Sequence, residues 1–276
     1  MVKFKKIKTM YWRPGIDYVK VIVNSVKPYV EDSDIIVVSE KAISTAEGNL
    51  VDESKIKPGL LAKIIVLFWM RIVWGYFLGR ICQFREKQIM HLRNYPLKEG
   101  IAHKQLALNW AGMLHAMKYA SEGGIDINNL PFSFACLPLQ EPCRNATRIC
   151  DEIRAKTGKA IGVMISDTDS TFSFYNFHFT SRPNPIEGIV SFGGFVSFFL
   201  GRFLKLKQRA TPLAMVGLKL RVEDVLHLAE IAHHARGYGA GRTIWDVAEK
   251  YGINFNEVTW KLLDEVDHFP IVLIRR

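Results

Sequence analysis

DIIVVS, residues 34–39, is the stretch on which the reading of this chain turns. Four apolar, largely β-branched residues, Ile35–Val38, stand between Asp34 and Ser39. A run this short, closed at both ends by polar residues, predicts a strand buried on both faces. IGVMIS at 161–166 repeats the pattern, and FPIVLI at 269–274 supplies a third run near the C-terminus. Helical patterns fill the intervals. Pro14-Gly15 makes a turn, and Asp17 then precedes Val19, Ile22, Val23 and Val26, spaced along one helix face. Thr147–Lys156, Val222–Arg236, Trp245–Tyr251 and Asn256–Glu265 read as helices, and Glu86–Ala120 as a mostly helical stretch broken at Pro96 and Gly100. Strands early, in the middle and late, with long helical pieces between them, predict a mixed α+β fold, too irregular for a repeated βαβ series. The 276 residues read as a single unit; the composition changes near Pro183–Gly188, where a boundary between two lobes would fall.

The chain is 49% hydrophobic and 23% charged, which excludes a disordered, collagenous or disulfide-stapled class. Lys and Arg number 37 against 27 Asp and Glu, a net charge of +10 that favours polyanionic partners such as nucleotides, nucleic acid or acidic lipid. No nucleic-acid motif accompanies it. Four cysteines without a CxxC argue against a disulfide framework and a structural zinc. Met1–Pro14 is basic and lacks an apolar core, so the reading is a cytoplasmic protein.

Leu60–Ile81 is long and apolar, but Lys63, Arg71 and Arg80 interrupt it. A central arginine costs about 2.5–3.5 kcal/mol in a bilayer. The expectation is therefore a largely buried helix at a subunit interface, not a membrane span, with surface attachment through an aromatic, basic helix as the other option. Ile189–Leu200 is a second apolar stretch and runs into basic Arg202–Arg209; it could share that interface.

Three features could carry chemistry. Ser39-Glu40-Lys41 follows the first strand: an ammonium and a hydroxyl at a strand end suit phosphate, although a solvated polar turn is the commoner use of such residues. Asp126 and Asp167-Thr168 offer hard oxygen ligands of the kind Mg²⁺ or Mn²⁺ takes, with Asp169 as an extra carboxylate. Capping a turn or a helix would use the same aspartates equally well. Arg236-Gly237-Tyr238-Gly239-Ala240-Gly241-Arg242 offers backbone amides and two guanidinium groups to an anion, or else simply ends a helix. The histidines and cysteines show no ligand or nucleophile spacing.

Taken together, DSDIIVVSEKAISTAEGNLV (32–51), EGGIDINN (122–129), GKAIGVMISDTD (158–169) and VEDVLHLAEIAHHARGYGAG (222–241) resemble, in order and spacing, the GTP-dependent γ-glutamyl ligases that elongate the deazaflavin coenzyme F420. The resemblance covers most of the chain, with 60–110 expanded. It implies an α+β fold in an intertwined homodimer, GTP as co-substrate, and Mg²⁺ or Mn²⁺. It also implies amide formation between L-glutamate and a carboxylate acceptor, coenzyme F420-0 or a related small acid, through an acyl phosphate. Carried over residue by residue, metal positions fall on Asp126, Asp167 and Thr168, and nucleotide positions on Glu40, Lys41 and Asn129. Gly237, Gly239 and Gly241 fall on the nucleotide loop, and Lys41 and Asp167 on catalytic positions. Neither nucleic acid nor a membrane span is implied. The chain departs from the family at Thr45, where Lys is usual, at Asp169–Phe174, where a Gly-Arg pattern with further basic groups is usual, and in the arginines flanking the glycine loop. These departures motivate a second reading, a catalytically altered paralogue that binds a nucleotide or phosphorylated ligand without ligating.

Overall fold

The computed structural model describes residues 2–276. Its larger sheet is built from β1 (Lys3–Thr9), β2 (Ile35–Ser39), β5 (Gly162–Phe174), β6 (Phe177–Thr180), β7 (Val190–Ser191), β8 (Lys207–Val216) and β9 (His268–Arg275). The order is β1-β9-β2-β5-β6-β7, with β8 along the other edge of β5. β3 (Leu50–Asp52) and β4 (Phe134–Cys136) form a separate antiparallel pair. β2 and β5 run parallel, β9 is antiparallel to β2, and β8 is antiparallel to β5, so the fold is mixed α+β as expected.

The alternation of β2 explains the layering, since neighbouring residues of a strand point to opposite faces. Ile36 and Val38 join Val163, Ile165, Ile271 and Leu273 beneath α1 (Tyr18–Val26) and α7 (Pro142–Thr157). Ile35 and Val37 join Met164, Val272 and Ile274 beneath α9 (Val222–Arg236). Asp17 caps α1 as its spacing predicted, its carboxylate accepting the Lys20 N–H. α2 (Glu40–Ala46) begins directly after β2.

A helical layer occupies the expanded region: α3 (Leu60–Ile81), α4 (Glu86–Arg93), α5 (Lys98–Ala111) and α6 (Met113–Ala116), with α8 (Phe195–Phe203) against it. The middle of α3, Ile65–Leu78, takes the wide i→i+5 hydrogen bonding of a π-helix. Contrary to the expectation from sequence, α3 is not largely buried: only a third of its most apolar window is covered. Ala62, Ile65, Val66, Met70, Trp74 and Gly79 face the protein, and Leu60, Ile64, Phe68, Ile72, Phe77 and Ile81 on the other side are exposed. Pro96 separates α4 from α5 as read, but the second break falls at Gly112, not at Gly100, which lies inside α5.

Two more elements differ. β5 runs on to Phe174, where the polar cluster after Ile165 read as the end of a strand; Thr171–Ser173 pair with both β6 and β8, and Phe174 with β6. β8 itself was hidden by its basic start and by Pro212, which sits beside a shift in register, the position a sheet tolerates for proline. At the C-terminal end, α10 (Ile244–Tyr251) and α11 (Trp260–Asp264) close over a small core of Ala240, Val247, Val258, Leu263 and Val266. The segment 183–188 links β6 to β7 within the one sheet, its Ile186 N–H bonded to the Pro212 carbonyl.

Candidate active site

The parallel ladder of β2 and β5 sets Ser39 directly beside Ser166. The residues just beyond the two serines therefore emerge at the same edge of the sheet: Glu40-Lys41 on one side, Asp167-Thr168 on the other. Ligands of open α/β sheets bind at such carboxyl ends. A bulge in β5 between Asp167 and Ser170 breaks the alternation, a device that re-aims side chains near sites. Asp126 arrives by a third route, through paired backbone bonds with Cys136 (3.0 and 2.8 Å).

Part of this set opens on a cleft of about 850 Å³. Its lining includes Tyr11, Ser39, Lys41, Asp126, Asn129 and Thr168, together with Arg236, Gly237, Gly239, Gly241 and Arg242. Lys41 Nζ donates to Asp126 Oδ2 (2.8 Å) and to the Asn128 carbonyl (3.0 Å). Asp126 Oδ1 accepts the Asn128 N–H (2.8 Å), so this carboxylate caps a turn and pairs with the lysine at once. Asn129, carried over as a nucleotide contact, reaches across to the glycine loop: Oδ1 accepts the Ala240 N–H (2.8 Å) and Nδ2 donates to the Tyr238 carbonyl (3.2 Å). Gly237 ends α9 with its N–H on the His233 carbonyl, so the helix-ending reading of the loop is correct as far as it goes. Gly239, at φ +60°, has no room for more: a Cβ there would lie 3.0 Å from Asn129 Oδ1.

Glu40 and Asp167 do not line the cleft. Both turn behind it, to Arg182, a buried arginine that sequence reasoning missed. Arg182 Nε donates to Asp167 Oδ2 (2.6 Å), Nη2 to Glu40 Oε1 (3.2 Å), and Nη1 to the Gly123 carbonyl (3.3 Å). The guanidinium passes so close to Gly124, at φ +91°, that a Cβ there would sit 2.3 Å from it. The signal was the departure itself: the family pattern has basic groups soon after the Asp-Thr pair, this chain has none at 169–174, and the β5–β6 hairpin brings Arg182 back to Asp167. Asp169, the extra carboxylate, is buried against Lys118 (3.3 Å).

Burial pushes the Glu40 carboxyl up to about 7 against the pull of Arg182, with Asp167 and Asp126 adding to the rise. Burial likewise lifts Asp169 to about 6, despite Lys118. Both groups thus hold protons in the fold that the unfolded chain has released, so their contribution to stability is full below about pH 4 and is lost as pH rises to about 7. Glu40→Gln is expected to flatten that part of the curve by on the order of 2 kcal/mol. Denaturant unfolding across pH 4–8 measures it, and an unchanged slope would show that Glu40 stays ionised.

The cleft is also suited to anions. Burial lowers the Arg236 guanidinium to about 10, still cationic at neutral pH. Its Nη2 donates to Ser166 Oγ (3.2 Å), while its Nη1 is buried without a protein partner. His268, at the same cleft, is pushed down to about 4 by burial and is neutral. Among the described residues no three of His, Cys, Asp and Glu are grouped tightly enough to hold an ion alone. A cation here would need Asp126 and Thr168 from the cleft wall, Asp167 from behind it, and oxygens of a bound phosphate; that donor set is the hard-oxygen type Mg²⁺ accepts. A second, apolar pocket of about 580 Å³ lies across the 126–131 loop, walled by Tyr95, Leu130, Phe132 and Trp245, and holds none of the sequence-predicted site residues.

Residues 6–195 match the sequence model of the family F420-0:Gamma-glutamyl ligase. An uncharacterised protein of Methanocaldococcus jannaschii is 37% identical over 281 residues, covering 98% of this chain and 94% of that protein. The coenzyme F420:L-glutamate ligase of the same organism is 29% identical over 140 residues, about half of either chain (50% and 49%).

Proposed function

This chain belongs to the F420-0:gamma-glutamyl ligase family, and from that premise we propose that it joins L-glutamate to a carboxylate acceptor, coenzyme F420-0 or a related small acid, at the expense of GTP. The observation that carries the reading is the cleft itself: Lys41, Asp126, Thr168 and the Gly237–Gly241 loop, from four separate stretches of chain, line one space. The amides of the loop and the unpartnered Arg236 Nη1 suit a triphosphate. A divalent cation held by Asp126, Asp167 and Thr168 would neutralise phosphate charge and hold it in line for transfer. The acceptor carboxylate oxygen takes the γ-phosphoryl group and GDP leaves. The glutamate amine then attacks the acyl carbon, loses a proton and expels phosphate. Lys41 stabilises the charge that develops on the transferred group. No covalent nucleophile on the protein is required, consistent with four free cysteines, of which Cys136 is pushed up to about 12 by burial.

The return of Arg182 to Asp167 also weakens the case for a paralogue that binds without ligating, because the basic group that 169–174 lacks is supplied from 182. Incubation with GTP, Mn²⁺, L-glutamate and coenzyme F420-0 is expected to release GDP and yield a product one glutamyl unit heavier by mass spectrometry. GTP binding without GDP release, with F420-0 and with a panel of small carboxylic acids, would sink the ligase reading.

A further inference from the structure

The uncovered side of α3 has a chemistry of its own. Leu60, Ile64, Phe68, Ile72, Phe77 and Ile81 are each between 43% and 74% exposed and recur on one side of the helix. Exposed Lys63 and Arg80 stand near its two ends. The opposite side is fixed to the protein: Trp69 and Trp74 both donate their indole N–H to the Met117 carbonyl (2.7 and 2.9 Å), and Met70 and Trp74 are fully buried. The helix therefore cannot leave the fold to cross a bilayer, yet it presents an apolar strip two dozen ångströms or more in length, roughly, by its residue count. α8 meets its C-terminal end, with Arg202 donating to the Cys82 carbonyl (3.0 and 2.7 Å), and adds exposed Phe203, Leu204 and Lys205.

Charge says what covers this surface. Residues 54–85 and 189–222 hold twelve of the 37 Lys and Arg and none of the 27 Asp and Glu. The rest of the chain, with twenty-five cations against those 27 acids, is close to neutral. The whole positive excess thus sits on the two stretches that supply the exposed apolar helices; four of the twelve, Lys55, Lys207, Arg209 and Arg221, pair with Asp52, Glu223 or Asp224 just outside them, while Lys63 and Arg80 of the exposed helix and Lys205 beside it form no ion pair among the described residues. A second copy of this chain would bring like charge against like charge there; an anionic lipid surface complements it. Aromatic and aliphatic side chains flanked by cations are the composition of helices that lie in a membrane interface.

We propose that α3, with the adjoining end of α8, seats this protein on the surface of a membrane rich in anionic lipid, without spanning it. The full chain is expected to co-sediment with phosphatidylglycerol–phosphatidylcholine vesicles and not with phosphatidylcholine alone, and to be released by salt. Phe68→Asp with Phe77→Asp is expected to lower partitioning at least about tenfold. Lys63→Gln with Arg80→Gln is expected to lower it about tenfold and to weaken the salt dependence. All four side chains are exposed, so thermal unfolding serves as the control for folding. No binding to anionic vesicles, or binding that both pairs of substitutions leave unchanged, overturns the proposal. So does a dimer in sedimentation equilibrium that Phe68→Asp with Phe77→Asp dissociates while vesicles are not bound, which would assign the strip to self-association.

Discussion

Lys41→Met is expected to lower the rate of glutamate ligation by on the order of a thousandfold while leaving the fold intact. The ammonium sits on the first turn of α2, in the cleft, 2.8 Å from Asp126 and 3.0 Å from the Asn128 carbonyl. It is the one cation of the cleft delivered by the strand end itself, so it is held without a flexible loop. Removing a preorganised charge from a partly enclosed site costs a factor of 10²–10³ or more, by analogy with oxyanion and phosphoryl sites, roughly. Stability should hardly change, because Lys41 and Asp126 are partly exposed, 24% and 21% at the side chain, and water can solvate the orphaned carboxylate. An exposed or half-exposed pair contributes about 1 kcal/mol or less. GDP release and the melting temperature are the two readouts. Turnover within tenfold of the unsubstituted protein would mean that the ammonium does not face the transferred phosphate.

Arg182→Met carries the largest expected cost in stability, about 3–5 kcal/mol. Its side chain is 3% exposed and neutralises two carboxylates, Glu40 at 3% and Asp167 at 11%. Without it, both are left buried near Asp126 with no guanidinium between them. Protonation relieves the repulsion, and Glu40 already holds its proton up to about pH 7. The deficit should therefore shrink as pH falls through that range, and Arg182→Met with Glu40→Gln should recover part of it. Chemical unfolding at pH 5 and pH 8 separates the cases. A loss below 1 kcal/mol at pH 8, or a deficit that grows on acidification, would show that Arg182 is not the counter-charge of this group.

Much of the sheet was legible because its strands are buried on both faces and read as unbroken apolar runs: Ile35–Val38 and Phe269–Ile274 fall wholly in strands, and Ile161–Ile165 does so from Gly162 onward. β8 and the far half of β5 were not, because Thr, Ser, Gln and Arg pair across those strands with one another, and polar residues that meet inside a sheet look like loop in a single sequence. The long helix was legible as a helix but not in its exposure. Apolar content speaks of what a side chain tolerates, and only the count of neighbouring helices decides whether it is covered. In the cleft, the residues just beyond strand ends were legible from type and place. Arg182 was not, because its partner Asp167 lies fifteen positions earlier with a complete hairpin between them.

That hairpin separates two jobs that many enzymes combine in one short motif. The acid is anchored in the sheet and its counter-ion returns from the far side of a turn, so the excursion between them is under no constraint of length. Phe174–Phe177 could be lengthened, shortened or replaced among relatives while the cleft stayed the same. A fixed-spacing search for an acid followed closely by its arginine would then pass over chains built like this one.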